Sequence, residues 1–218
     1  MIESAIHIGN FTFFELFTML TNCMISILCL YFFIKLTKIN TSEAIRNWNR
    51  FFLFFGLSNL FGAGAHGFFE SHDGTAYKIV WLAMQLLNGL AVYSAQKATL
   101  HSVLQDKENR KSWLLAYNLQ LTLFLFLVFS LQNFWVVVIN NVVGLVPVII
   151  IHLAGSGKTK ARSLIGYGIS ISFLAGIVHA LKLSLHEHFN NNVLSHVFIM
   201  ISLTVIFMGV KQKALSIA

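Results

Sequence analysis

The feature that most constrains this chain is the spacing of its apolar blocks. Long, mostly apolar runs follow one another with only short polar breaks between them. They fall at about Phe11–Leu36, Trp48–Phe69, Lys78–Leu104, Trp113–Leu131, Phe134–Leu153, Ser163–Leu185 and Asn192–Val210. A bilayer-spanning helix needs about 20 such residues. The runs are continuous rather than striped, so they do not read as surface helices with one polar face. Charge content agrees. Of the 218 residues 11% are charged and 56% hydrophobic, whereas a soluble domain carries about 25% charge. The expected fold is all-α: one seven-transmembrane-helix bundle over residues 1–218, a multi-pass integral membrane protein with no sizeable soluble domain.

The net charge is +7. In a membrane chain its placement matters more than its sign, and no nucleic-acid partner is expected. Of the fifteen Lys and Arg residues, only Lys78 and Lys182 fall in or beside breaks on one side; the rest, including Lys35, Lys38, Arg46 and Arg50, fall on the other. The positive-inside rule then puts the N-terminus outside and the C-terminus in the cytoplasm. The opening MIESAIHIGN lacks a basic segment, and no cleaved signal peptide is expected. Cys23 and Cys29 are six apart on one helix, a poor spacing for a disulfide. Gly155–Thr159 resembles the end of a phosphate-binding loop, but His152 stands where its first glycine belongs and no strand precedes it, so a plain loop is expected. Asn10-Phe11-Thr12 has the form of a glycosylation site on the outer side.

With that topology the polar residues gather at one depth. Glu15 and Asn22 lie in the outer half of the first helix, and His66 is one turn from the outer end of the second. His72 and Asp73 follow in the loop, and Gln85 and Asn88 lie in the outer half of the third helix. His179 and Lys182 end the sixth helix. His186 and His188 follow in the loop, and His196 is a turn into the seventh helix. Ionisable groups at membrane depth are costly and point to function. Imidazoles and carboxylates from several helices at one level suit a metal, zinc by donor type, with one position left open for water. His7, His72, His101 and His152 read instead as interfacial residues. Gly62, Gly64 and Gly67 read as a close helix-packing face.

The pattern resembles the superfamily of seven-helix membrane hydrolases that contains the alkaline ceramidases and the adiponectin and progestin receptors. In alkaline ceramidases the first helix carries Glu with Asn seven residues on, as Glu15 and Asn22 stand here. The second carries Ser-x-x-x-His; here Gly62 replaces the Ser and His66 keeps the His. The seventh carries His-x-x-x-His; here Asn192 replaces the first and His196 keeps the second. The family's Asp beyond the second helix has Tyr77 in its place, with Asp73 nearby. The resemblance implies a zinc ion on His66, His196 and one further residue, His188, His179 or Asp73. It implies hydrolysis of an amide or ester of a membrane lipid, with Asp73 or Glu15 handling protons and Asn192 holding the water or ligand. The departures leave a second expectation, a non-catalytic receptor or lipid-binding protein of the same fold. The oligomeric state is open. A retinal protein is not expected, because no Lys stands in the middle of the last helix.

Overall fold

In the computed structural model residues 5–39, 42–69, 74–104, 106–154, 159–186 and 188–216 are described. Among them stand seven helices: α1 Leu16–Thr37, α2 Glu43–Phe68, α3 Thr75–Val103, α4 Lys107–Leu131, α5 Phe134–Ala154, α6 Lys160–Ala180 and α7 Asn191–Leu215. The all-α expectation holds, and six of the helices are long and apolar enough to cross a membrane. The exception is α3, which carries Lys78, Gln85, Asn88, Gln96, Lys97 and His101. The outside of the bundle is apolar as well as its inside. On α4, Leu115, Leu119, Leu123 and Phe126 are each more than half exposed, a face suited to lipid rather than water.

The helix starts lie outside the apolar blocks, because capping side chains rather than hydropathy set them. Ser42 caps α2 by accepting from the Ile45 N–H, Asp106 caps α4 from Glu108, and Thr159 caps α6 from Arg162. The block beginning at Phe11 splits instead. Ile6–Ile8 (β1) pairs antiparallel with Phe11–Phe13 (β2), and helix begins only at Leu16. Apolar and polar residues alternate on both sides of Gly9-Asn10. Gly9 has φ +59° at the first loop position, where a type II′ hairpin turn needs it. The sixth helix also stops early, at Ala180 rather than Leu185. Lys182 takes φ +53°, Leu183 N–H donates to Val178 O, and Lys182 N–H donates to His179 O. This pair of bonds closes a helix end in the Schellman manner, with lysine where glycine is usual.

Helices α1, α2, α3, α5, α6 and α7 form a ring, each packed on the next, with α7 closing on α1; α4 lies outside against α3 and α5. Glycines set the closest approaches. A Cβ on Gly56 would sit 2.8 Å from Cys29 Cβ, and one on Gly209 would sit 2.6 Å from the Ala161 carbonyl oxygen. The free Cys29 is thus a packing residue. Outside the ring, α4 is held by Phe124 lying on Gly89 and by a run of amides. Gln96 Nε2 donates to Gln120 Oε1 at 2.8 Å, and Gln120 Nε2 donates to Asn140 Oδ1 at 3.0 Å.

The interior divides along the bundle axis. The apolar core fills the half nearest the basic loops, from Phe32, Leu36, Trp48 and Phe52 across to Ile165, Phe207 and Val210. There Phe32 stacks on Phe207 at 4.1 Å and meets Phe52 edge-on at 5.4 Å. The opposite half holds the polar side chains of the mouth, while Asn47, Thr99 and His152 are buried polar residues on the basic side.

Candidate functional site

The polar half is anchored where the hairpin meets α1. Glu15 N–H donates to His66 O at 3.2 Å, and Phe14 N–H donates to Gly67 O at 3.3 Å, satisfying carbonyls that the end of α2 leaves open. The Glu15 side chain turns back onto the same residue. His66 Nδ1–H donates to Glu15 Oε2 at 3.0 Å, so the two residues are joined through backbone and side chain. Gly67 allows this approach by letting Met19 pack where a Cβ would stand. Burial pushes the Glu15 carboxyl up. The hydrogen bond and charge of His66, with the hydrogen bond of Asn192, act the other way and hold it below its ordinary value, hence ionised at neutral pH.

From this pair a closed circuit of side chains runs round the end of the ring. His66 meets Trp81 edge-on at 6.2 Å, Trp81 meets Phe134 at 6.0 Å, and Phe134 meets His179 at 5.5 Å. Asn191 Nδ2 donates to His179 Nδ1 at 3.4 Å and to Asn192 Oδ1 at 3.1 Å. Asn192 Nδ2 donates to Glu15 Oε2 at 3.4 Å, which closes the loop. All six ring helices are represented, with Glu15 standing as the N-cap of α1. The Asn triplet divides the work. Asn190 caps α7 by accepting from the Asn192 and Val193 N–H groups, Asn191 reaches α6, and Asn192 reaches α1.

His196 stands a turn deeper, within electrostatic reach of His66, His179 and Glu15. Its Nδ1 lies 2.7 Å from Thr21 Oγ1, which also lies 2.9 Å from Phe17 O. A hydroxyl has one hydrogen. With that hydrogen on a carbonyl of its own helix, His196 Nδ1 is the donor and its Nε2 keeps the lone pair. His66 likewise carries a hydrogen on Nδ1, because a carboxylate only accepts. His179 is the opposite: it accepts at Nδ1, so its Nε2 carries the hydrogen. With His66 neutral, the mouth presents two imidazole acceptors and one imidazole donor. Beneath Trp81, one turn along α3, Gln85 is fully buried, and neither of its amide atoms has a partner among the described residues.

These tautomers bear on zinc, which takes the lone pair of a neutral imidazole whose other nitrogen is held by a second partner. His66 and His196 fit that requirement, the first through Glu15 and the second through Thr21. His179, as bonded here, does not. His188 lies with its ring 4.9 Å from Phe17 and 5.5 Å from His186, and its Nδ1 is buried without a partner among the described residues. Asp73 and His72 lie outside the described residues. Among the described residues no three His, Cys, Asp or Glu side chains gather as a metal-binding group.

Sequence reasoning picked out Glu15, His66, His179, His188, Asn192 and His196, and all but His188 take part in the circuit or stand just beneath it. It passed over Trp81 and Phe134, since aromatics in an apolar helix look like packing, and it gave Thr21 no role. A cavity of about 390 Å³ lies against Trp81 and Phe134, lined also by Tyr77, Lys78 and the α4–α5 turn. His152, read as interfacial, is fully buried, with Nε2 3.2 Å from Thr99 Oγ1.

No curated protein and no solved structure matches the chain. One family model does, over residues 17–215, from just after the hairpin to the last residue of α7. That match spans all seven helices, so the chain belongs to the family of unknown function DUF6962.

Proposed function

We propose that this is a seven-crossing membrane protein, with α3 as the seventh span, whose polar mouth faces outward and works on a membrane lipid. The basic loops face the cytoplasm in this reading. The activity is hydrolysis of a lipid amide or ester with the help of one zinc ion on His66 and His196. The observation that carries it is the pair of imidazoles held through Nδ1, His66 by Glu15 and His196 by Thr21, which in the neutral form leaves Nε2 of each for a metal. A bound zinc would supply hydroxide at neutral pH by lowering the pKa of its water toward 7. The chain's own groups do the rest. Glu15 orients His66. His179 offers an N–H for the lipid carbonyl oxygen. Asn192 holds the first and last ring helices together at the site. The cavity beside Trp81 and Phe134 gives the lipid a side approach. Asp73 is reserved as a proton carrier, and His188 or Asp73 as a third donor to the metal.

Metal analysis of the purified protein tests this. The expected content is about one zinc per chain, with one catalytic zinc held as such sites hold it; His66→Ala and His196→Ala lose it while Lys111→Ala does not. Unmutated protein free of zinc after purification without chelators overturns the enzyme reading. It would leave the second one, a lipid-binding or receptor protein without metal. The absence of a three-donor group among the described residues favours that alternative. So does Gly62, which stands where the hydrolase pattern has a hydroxyl.

A further inference from the structure

The opposite end of the bundle carries a second site, which the mouth does not use. Between the end of α1 and the start of α2 lies a cavity of about 310 Å³, lined by Phe33, Leu36, Thr37, Ile45, Arg46, Asn49 and Arg50. Its chemistry is split. Phe33, Leu36 and Ile45 form an apolar floor, and the rim carries two guanidinium groups and a hydroxyl–amide pair. Asn49 Nδ2 donates to Thr37 Oγ1 at 2.8 Å, and Thr37 passes its own hydrogen to Phe33 O. Asn49 Oδ1 is buried behind that pair and has no partner among the described residues.

The charges are unequally committed. Arg46 is paired with Glu43 one turn earlier. Arg50 donates to the neutral Asn47 Oδ1 at 3.1 Å, and among the described residues it forms no salt bridge. Lys38, the C-cap of α1, adds charge at this end, and the start of α2 adds its partial positive charge. Below the rim Leu30 on α1 and Leu53 on α2 continue the helix faces of Phe33 and Asn49, one turn further from the basic loops. Leu30 is half exposed, so an apolar path leads away from the rim along the outside of the bundle.

A cationic rim over an apolar path at the end of a membrane-length helix pair suits one kind of molecule. We propose that this cavity binds an anionic phospholipid. Its phosphodiester would sit at Arg50 and Arg46, and an acyl chain would lie along Leu30 and Leu53. A soluble phosphate would use the same guanidinium groups but not the apolar path, so the two sources can be separated.

The test uses the full chain in nanodiscs of phosphatidylcholine, alone or with phosphatidylglycerol. The lipids retained after detergent extraction are counted by native mass spectrometry, and thermal unfolding is followed in parallel. Unmutated protein should retain phosphatidylglycerol over phosphatidylcholine and unfold at a higher temperature when it is present. Arg50→Gln should lower that retention about fivefold, the worth of one basic contact with an anionic lipid. Lys111→Gln, at the same end but bound to Glu108, should change nothing. Equal losses in Arg50→Gln and Lys111→Gln would overturn the site in favour of diffuse attraction. So would equal stabilisation of phosphatidylcholine discs by inorganic phosphate, and so would no preference in the unmutated protein. The zinc content of the mouth is not a readout here, so the two proposals fail separately.

Discussion

The unusual conformation of Lys182 decides how α6 ends. A side chain in the left-handed region costs about 1–2 kcal/mol against its ordinary conformation. The bonds around it still close the helix, so the strain is local and glycine removes it. Lys182→Gly should raise the unfolding temperature in detergent, by an amount matching about 1 kcal/mol; a lower temperature would show that its charge or stem matters more than its φ. Glu15 carries a second prediction. Its carboxyl is held below its ordinary value of 4.5. Its contribution to stability is therefore complete above that value and fades as pH falls through the lowered one. Glu15→Gln should be less stable than the unmutated protein at neutral pH, by about 1–3 kcal/mol for a hydrogen bond to a charged group. The two unfolding curves should converge on acidification. Curves that stay parallel to low pH would place the value of Glu15 in shape rather than charge.

The helices pack through contacts of unequal tolerance, which their neighbours explain. A methyl added at Gly209 meets the Ala161 carbonyl oxygen and the Ile165 amide nitrogen, which are backbone and cannot swing away. A methyl at Gly67 meets the Met19 side chain from its sulfur to its Cβ, which can turn aside but not withdraw. Gly209→Ala should thus cost about 1–3 kcal/mol, as overpacking does. Gly67→Ala should cost less, since Met19 can turn and alanine gains about 1 kcal/mol of helix propensity. Thermal unfolding of the two variants side by side checks the order. The same contrast shows what was legible in the sequence. Apolar block length announces a helix at this composition, and all seven were readable in number and order. Their ends were not, because Ser42, Asp106 and Thr159 act through one hydrogen bond each and leave no trace in hydropathy. The hairpin was signalled by the alternation around Gly9-Asn10, but the long apolar run behind it masked that signal. At the mouth the titratable residues stood out against oil. Trp81, Phe134 and Thr21 did not, because an aromatic or a threonine in an apolar helix costs nothing and calls for no explanation until its neighbours are known. Gly62 adds a subtler case. A Cβ there would come 3.2 Å from Asn22 Oδ1, so this glycine lets Asn22 lie against α2, a contact that only the fold reveals.

Across the whole molecule the two ends differ in kind: one is basic, and the other collects histidine, asparagine and aromatic side chains. In the proposed orientation the basic end faces the cytoplasm. A fluorescent protein fused after α7 should fold and fluoresce, whereas an alkaline phosphatase fused there should be inactive. The reverse pair of results would invert the bundle and turn the mouth inward.

The circuit round the mouth also has a history within each molecule. The chain is made from its N-terminal end, so Glu15 is in place long before Asn192 exists. Until α7 arrives the carboxylate lacks its Asn192 partner, and α6 has no neighbour to lead it back to α1. A bond of 3.4 Å between the first and last ring helices is thus among the final contacts made. Anything bound at the mouth reads out a finished chain. It would also act as a clasp on the α1–α7 seam, so a ligand for this site should rescue variants whose defect is late closure and do little for those that fail earlier.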